Sequence, residues 1–302
     1  MLLAHYQTVC AVFQALVFPF GGARGAAKTS LGRRFGAAYG YVHSGFKNAA
    51  MRDLGDYVVS DKSSCLVIGA GDDTGGAIAR AFAREGMVSC VSRRPRHSDQ
   101  LEQLVKDIEA EGYEAVSLPC DARDEDAMCA LIEKIETDIA PIEVAVFNIG
   151  ANVQFPIAET TSRVYRKVWE MGTFAGFLMG REVAKRMMQR RSGTIIFTGA
   201  TASMRGRENL SAFAGAKHAL RALAQSMARE LGPHNIHVAH TVIDGAIDSN
   251  FIREILPDVD EKRDQDAILN PDHIAANYVM LHRQPRDAWT HELDLRPWVE
   301  TW

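Results

Sequence analysis

Lys217 is a cationic side chain that could assist a proton transfer, but Phe213 and Ala200 before it carry no proton to transfer. Phe213 comes four residues before it, and Ala200 thirteen residues before Phe213. A lysine ammonium can bind hydroxyl groups and lower the pKa of an adjacent acid. The side chains of phenylalanine and alanine have no donor. These three positions therefore offer one cationic group and no acid.

A glycine-rich turn is the second feature that could carry chemistry. Gly69, Gly71 and Gly75 follow a short apolar run, Cys65–Ile68, and precede a helix that is expected to begin at Thr74. Glycine is needed where a backbone approaches a pyrophosphate and where a helix packs closely on a strand. A glycine turn between a buried strand and a helix is a stronger signal than an isolated one. The turn therefore predicts a dinucleotide site.

A basic turn follows the second predicted strand and contains Arg93, Arg94 and Arg96. In dinucleotide-binding folds an acid at this place holds the ribose 2′-OH, whereas arginine accommodates a 2′-phosphate. The turn favours NADP(H), with NAD(H) as the second choice. The alternative interpretation is a solvated basic turn without a ligand.

Strand and helix patterns alternate along the chain, separated by short loops. Such alternation predicts an α/β fold with a doubly wound parallel sheet. Strands are expected at residues 65–68, 87–91, 115–118, 144–147, 194–197, 236–242 and 292–295. Helices are expected at residues 74–85, 101–111, 124–139, 163–189, 208–231 and 271–282.

Taken together, these segments resemble the short-chain dehydrogenase/reductase family over about residues 63–300. The resemblance implies a Rossmann fold and an oxidoreductase that uses a nicotinamide dinucleotide. Active members use a serine that bonds the substrate oxygen, a tyrosine acid/base, a lysine that assists the tyrosine, and an asparagine in the proton path. The positions that correspond in this chain are, in the same order, Ala200, Phe213, Lys217 and Gly172.

The resemblance also implies a set of cofactor contacts. Asp121 would accept from the adenine amino group and Ala122 would lie under the ring. Ile247 would pair with the nicotinamide amide, while Asn148 is as suited to steadying the sheet as to lining the ribose. The cofactor-binding residues expected in this way are Gly69, Gly71, Thr74, Gly75, Arg93, Arg94, Asp121, Ala122, Asn148, Gly150, Lys217, Ile247 and Ser249.

Two acids depart from the family pattern near the dinucleotide. Asp73 replaces the middle glycine of the turn, and Asp244 replaces a proline before Gly245. A carboxylate beside a diphosphate is repulsive unless it turns away. We therefore expect Asp72 or Asp73 to cap the helix that follows.

The losses at the active site leave two functional hypotheses. In the first, the protein is a divergent NADP(H)-dependent oxidoreductase acting on a small carbonyl, alcohol or enoyl compound, with Lys217 as its catalytic residue. Thr201 or Ser203 could replace the missing donor, whereas His218 is expected to point away from the site. In the second, it is a catalytically silent accessory subunit of a mitochondrial assembly.

Composition and charge limit the setting in which the protein works. Its 302 residues are 47% hydrophobic and 24% charged, with a net charge of −4, which argues against general nucleic-acid binding. Residues 1–52 contain six basic residues and no acid, which is typical of an organelle transit peptide. We therefore divide the chain into an extension, 1–62, and a dehydrogenase-like domain, 63–302. The extension predicts a mitochondrial location; a membrane or partner-binding arm, and a cytoplasmic protein, are the alternatives.

The remaining patterns concern metals, membranes and partners. The five cysteines include no C-x-x-C pair, so we expect reduced thiols and no metal site. No apolar run in the body is long enough to predict a transmembrane helix. Small residues around Lys217 suit close helix packing, either within the core or between subunits of a homo-oligomer or larger assembly.

Overall fold

Seven parallel strands form a single sheet in the computed structural model, which describes residues 62–71 and 73–301. The order across the sheet is β3-β2-β1-β4-β5-β6-β7, and every neighbouring pair is parallel. This arrangement confirms the predicted doubly wound α/β fold. The strands are β1 (Ser64–Ile68), β2 (Val88–Ser92), β3 (Ala115–Ser117), β4 (Ile142–Phe147), β5 (Thr194–Thr198), β6 (His237–Ile243) and β7 (Glu292–Leu295).

Helices connect successive strands and cover both faces of the sheet. They are α1 (Thr74–Arg84), α2 (Ser98–Ala110), α3 (Glu125–Asp138), α4 (Ser162–Trp169), α5 (Ala175–Arg190), α6 (Ser211–Leu231), α7 (Asn250–Ile255), α8 (Val259–Asp264) and α9 (Pro271–His282). Helices α3, α5 and α6 pack on one face, and α1, α2 and α9 on the other. Central strands such as β1 are buried on both sides, because apolar runs such as Cys65–Ile68 have no polar face to offer to water.

Three features of the helices differ from the expectation. The helix predicted at 163–189 is interrupted by a π-helical turn, Glu170–Phe174, and the helix predicted at 208–231 begins only at Ser211. Helices α7 and α8 were not predicted, because six-residue helices give no periodic pattern to read. At the π turn a Cβ on Gly172 would lie 3.2 Å from the Ala216 Cβ. The small residue at 172 therefore lets this turn lie directly against α6.

Other sequence predictions concern the N-terminal extension, membrane spans, metal sites and cysteines. Residues 1–61 lie outside the described part of the chain, so the predicted extension and its boundary stay predictions. Within the described residues, no helix is long and apolar enough to cross a bilayer. The same residues contain no cluster of three potential metal ligands. The described cysteines are free thiols, and three of the four are buried: Cys65, Cys90 and Cys120.

Candidate active site

The glycine turn after β1 forms a tightly closed backbone cradle. Gly69 has φ +89°, and a Cβ there would lie 2.8 Å from the carbonyl oxygen of Asn148. A Cβ on Gly75 would lie 2.4 Å from the Gly69 carbonyl oxygen, because the start of α1 packs directly on the turn. The Asn148 side chain donates to that same oxygen at 3.2 Å and ties the turn to the end of β4. The cradle thus has the shape that a pyrophosphate requires.

Asp73 occupies the N-cap position of α1 but does not cap it. Its side chain makes no capping hydrogen bond; instead, it accepts from the backbone N–H of Asn250 at 3.2 Å. The expected capping role is therefore wrong for Asp73, and Asp72 lies outside the described residues. The Asp73 carboxylate thus holds the start of α7 rather than the start of α1.

One cavity of about 240 Å³ lies beside the glycine turn at the carboxyl ends of β1, β2 and β3. It is lined by predicted adenosine-site residues, including Arg93, Arg94, Asp121 and Ala122. The guanidinium carbon of Arg93 lies 3.8 Å from where a Cβ on Gly71 would sit, so this arginine covers the turn. Its Nη1 also donates to Gln100 at 3.2 Å.

Neighbouring positive charges contribute to a lowered pKa at two basic side chains of this cavity, Arg94 and His97. The pKa of Arg94 is lowered by burial and then by the charges of Arg96 and Arg123. Burial, together with the charges of Arg93 and Arg96, lowers the pKa of His97 as well. A group of cations that repel one another in this way is stabilised when an anion binds among them. The electrostatics of the turn therefore suit a phosphate group.

Asp121 already has a partner within the protein. It accepts from Arg123 at 2.9 Å and 2.5 Å, in a fork that uses both carboxylate oxygens. This contact lowers the pKa of Asp121 and keeps the carboxylate ionised. An adenine amino group would therefore have to share Asp121 with Arg123, a competition that the sequence did not predict.

A second cavity of about 750 Å³ continues from the first towards the ends of β5 and β6. The two cavities share five residues, namely Gly69, Gly71, Asn148, Ile149 and Gly150. Predicted residues that line only the larger cavity are Thr74, Gly75, Lys217, Ile247 and Ser249. All thirteen predicted cofactor residues thus lie along one continuous cleft.

Two of these residues are fixed by contacts with the backbone around them. Ile247 pairs with Leu269 in an isolated parallel bridge. The Ser249 hydroxyl caps α7 by accepting from the Ile252 N–H at 3.2 Å. Its hydroxyl hydrogen remains available to a ligand in the cavity, because a capping serine uses only its lone pair.

Lys217 projects from α6 to the base of the larger cavity and is only 2% exposed. Its Nζ donates to the carbonyl oxygens of Thr198 at 2.8 Å and Ile149 at 2.9 Å, just at or beyond the ends of β5 and β4. Burial lowers the pKa of this amine to about 7. Among the described residues, no carboxylate offsets the effect of burial on this pKa, so the amine can take up or give away a proton near neutral pH.

The residues around Lys217 supply no phenol. The Phe213 ring centre lies 5.9 Å from the lysine Nζ, and the ring packs with Ala200, Ala202 and Leu210. Phe213 is 8% exposed and lines the cavity together with Ala200. Apolar side chains thus line the cavity beside the Lys217 amine.

The substitutes considered from the sequence do not replace the missing donors. Thr201 lines the cavity, but its hydroxyl donates to Asp244 at 2.6 Å. Ser203 is fully buried and accepts from the Ala200 N–H at 3.1 Å. His218 is exposed and bonds the Ala214 carbonyl at 2.9 Å, outside the cavity lining, as expected. Lys217 is therefore the titratable side chain at the base of the described cleft.

One polar cluster at the site was not predicted. Asp244, at the end of β6, is 1% exposed and is bonded by both Thr201 and Arg205. Arg205 and Arg207 line the larger cavity. The sequence offered one signal, an acid in place of a proline after β6, but it did not show which cation lies opposite that acid.

Comparisons with known proteins agree with this geometry. The family model described as short chain dehydrogenase matches residues 63–260. A 2-dehydro-3-deoxy-D-gluconate 5-dehydrogenase of Formosa agariphila is 29% identical over 173 residues, which cover 57% of this chain and 65% of that enzyme. A 2,3-dihydro-2,3-dihydroxybenzoate dehydrogenase of Bacillus subtilis is 30% identical over 172 residues, with the same coverage. The chain thus spans about two thirds of the length of these two relatives.

Solved structures extend the likeness over most of the described domain. A short-chain dehydrogenase from Rhodopseudomonas palustris is 46% identical, with a TM-score of 0.67, and the match covers 78% of this chain and 99% of that one. An actinorhodin polyketide ketoreductase solved with NADPH has a TM-score of 0.70 at 23% identity, covering 78% and 97% of the two chains. At that identity the likeness concerns the fold alone.

Proposed function

The chain belongs to the short-chain dehydrogenase family, and from that premise we propose that it is an oxidoreductase that binds NADP(H) along the cleft. The glycine cradle fits a diphosphate, because a Cβ at Gly69 or Gly75 would collide with backbone there. Arg93 and Arg94 fit a 2′-phosphate, and Lys217 fits the ribose hydroxyls. When bound, the dinucleotide supplies or accepts a hydride at its nicotinamide ring.

The observation that carries the proposal is the position of the Lys217 amine. It lies at the base of the larger cavity, is held by two backbone carbonyls, and has a pKa lowered to about 7. A group with a pKa near the working pH is suited to general acid–base catalysis. In this proposal the lysine delivers the proton that tyrosine delivers in other members, and the substrate is a small carbonyl, alcohol or enoyl compound.

We expect the purified protein to oxidise NADPH with a compound from a panel of ketones and enoyl substrates, and Lys217→Met to abolish that activity. In the direction of reduction, kcat/KM should fall by about tenfold per pH unit above the pKa of Lys217, because only the protonated amine can donate. The measurement is NADPH absorbance between pH 6 and 9, with 5-keto-D-gluconate, the substrate of a similar Escherichia coli reductase, included in the panel.

Lys106→Met is the matched control, since this lysine is exposed on α2, away from the cleft. It should leave the rate and its pH profile unchanged. Activity that survives Lys217→Met, or that rises with pH through 7, would refute the assignment of Lys217 as the acid. Binding of NADPH, measured by calorimetry, tests the cofactor separately.

Arg93 is expected to decide between the two dinucleotides. Arg93→Ala should weaken NADPH binding by about 10-fold to 100-fold and leave NADH binding nearly unchanged, because only NADPH carries the 2′-phosphate. The measurement is the dissociation constant of each dinucleotide by fluorescence titration. Lys106→Ala is the control, since Lys106 is exposed on α2 and does not line the cavity. An equal loss for both dinucleotides would contradict a phosphate-binding role.

A second candidate function is a catalytically silent accessory subunit of a mitochondrial assembly. The observation that favours it is an exposed aromatic surface on α4 and α5: Trp169 and Phe177 are 40% and 37% exposed and stack on either side of Phe174. The acid-free residues 1–52, outside the described residues, motivate the mitochondrial location. Mass spectrometry of native material distinguishes the candidates: stoichiometric foreign chains support the subunit, and copies of this chain alone support a homo-oligomer.

A further inference from the structure

The smaller cavity of the cleft contains a carboxylate that is already bound to an arginine. Asp121 follows β3, and Arg123, two residues later, lines the same cavity. The Arg123 Nε donates to Oδ1 of Asp121 at 2.9 Å, and its Nη2 donates to Oδ2 at 2.5 Å. The backbone N–H of Arg123 also donates to Oδ1, at 3.2 Å. Both oxygens of this carboxylate are therefore engaged within the protein.

The local backbone keeps the Asp121–Arg123 pair together. The backbone N–H of Asp124 donates to the Asp121 carbonyl oxygen at 2.9 Å, which closes a turn around Arg123. The hydrogen bond from Arg123 is the main cause of the lowered pKa of Asp121, so the carboxylate is ionised at neutral pH. The pair is therefore a fixed part of the cavity wall.

Part of the Arg123 guanidinium remains available to a ligand. An arginine has five N–H donors in a planar fork, and those that bind the Asp121 side chain are on Nε and Nη2. Within residues 62–71 and 73–301, the Nη1 group of Arg123 makes no hydrogen bond or ion pair. The cavity wall at this point therefore presents N–H donors beside a carboxylate that is already occupied.

A dinucleotide in the cleft would bring its purine to this wall. Its 2′-phosphate fits beside Arg93 and its diphosphate fits the glycine turn, so its adenosine half lies in the smaller cavity. Ala122 and Ile149 line that cavity and suit the flat faces of a purine. The polar edge of the base would then meet the polar side chains of the lining, Asp121 and Arg123.

Adenine and hypoxanthine differ in what they present at that edge. The 6-amino group of adenine donates a hydrogen bond, the 6-oxo group of hypoxanthine accepts one, and N7 accepts in both. A carboxylate without a partner would select the amino group. The Asp121 carboxylate already accepts three hydrogen bonds from Arg123, and the remaining donors of Arg123 favour N7 or a 6-oxo group.

We propose that Arg123, held by Asp121, contacts the purine edge, so that the cleft accepts 6-oxopurine dinucleotides as well as adenine dinucleotides. Arg123 is then a specificity-determining residue, because it turns the recognising group from an acceptor into a donor. The inference rests on the dinucleotide binding of the proposed function, but it is independent of whether a hydride is transferred.

The test compares two dinucleotides that differ at position 6 of the purine. The probes are NADPH and reduced nicotinamide hypoxanthine dinucleotide phosphate, each titrated by calorimetry into the full chain. We expect the hypoxanthine form to bind within about threefold of NADPH, or more tightly. Arg123→Met frees the Asp121 carboxylate, so this variant should prefer NADPH by about 10-fold.

Arg163→Met is the matched control, because Arg163 is exposed at the start of α4 and lines neither cavity. It should keep the ratio of the two dissociation constants found in the wild type. A wild type that prefers NADPH by more than about threefold would overturn the inference without any variant. An unchanged ratio in Arg123→Met would overturn the role of Arg123. If neither dinucleotide bound the wild type, the proposed function would fail together with this inference, whereas a strong preference for NADPH would leave the proposed function intact.

Discussion

Replacing Phe213 by tyrosine together with Ala200 by serine is expected to raise the rate of carbonyl reduction by about 100-fold to 10,000-fold. The ring of residue 213 already lies beside the Lys217 amine, 5.9 Å from ring centre to Nζ. A positive charge at that range lowers the pKa of a phenol and makes it a better acid–base group. The serine at 200 would add a donor to the substrate oxygen, at a position that lines the same cavity.

The measurement is kcat/KM for NADPH oxidation by the wild type, both single variants and the double variant. Phe213→Leu with Ala200→Ser is the matched control, because it restores the serine without a phenol. We expect the gain to depend on tyrosine and to disappear when Lys217→Met is added. A double variant that binds NADPH normally yet reduces no carbonyl faster than the wild type would show that the missing hydroxyls do not limit this site.

Gly75→Ala is expected to abolish NADPH binding and to destabilise the fold by about 1–3 kcal/mol. The added methyl group would lie 2.4 Å from the Gly69 carbonyl oxygen and 2.8 Å from the Ala70 Cα. Both are backbone atoms, so no side chain can rotate to relieve the overlap. The turn would have to separate from α1, and the backbone surface that fits a diphosphate would be lost.

The matched control is Gly232→Ala, at the end of α6. A Cβ at Gly232 meets nothing within 4 Å, and its φ is −52°. The free energy of unfolding from urea titration and the NADPH dissociation constant should both stay near wild-type values in this control. Unchanged NADPH binding by a folded Gly75→Ala protein would exclude the glycine turn as the diphosphate site.

The fold was predictable from the sequence because its signals are local. An apolar run such as Val144–Phe147 can only be buried on both sides, and the glycine turn after Ile68 identifies a strand followed by a helix. Parallel order then follows from strict alternation of strands and helices. The ends of elements were less predictable, since the π turn at Glu170–Phe174 lies against α6 and the local sequence does not show that contact.

The candidate site was predictable as a set of positions but not as a set of contacts. Every predicted cofactor residue lines the cleft, and all but Lys217 on α6 belong to segments that follow the carboxyl end of a strand at the same edge of the sheet. For Asp73 and Asp121, spacing along the chain did not predict the hydrogen-bond partner of the carboxylate. Asp73 holds the backbone of Asn250, 177 residues away, and Asp121 pairs with Arg123. Which of several possible partners an acid selects depends on distances that appear only after the chain folds.

The sequence by itself determined the family and the order of the strands along the chain, and it predicted the loss of two active-site hydroxyls, because these follow from residue identity and spacing. Only the tertiary structure decided the chemistry of the charged residues at the site, such as Lys217 and Arg205. Lys217 has a pKa of about 7 because the ends of β4 and β5 bury it, and Arg205 has a fixed orientation because Asp244, 39 residues away, lies behind it. Burial and electrostatic pairing are properties of the assembled cleft, and no local pattern encodes them.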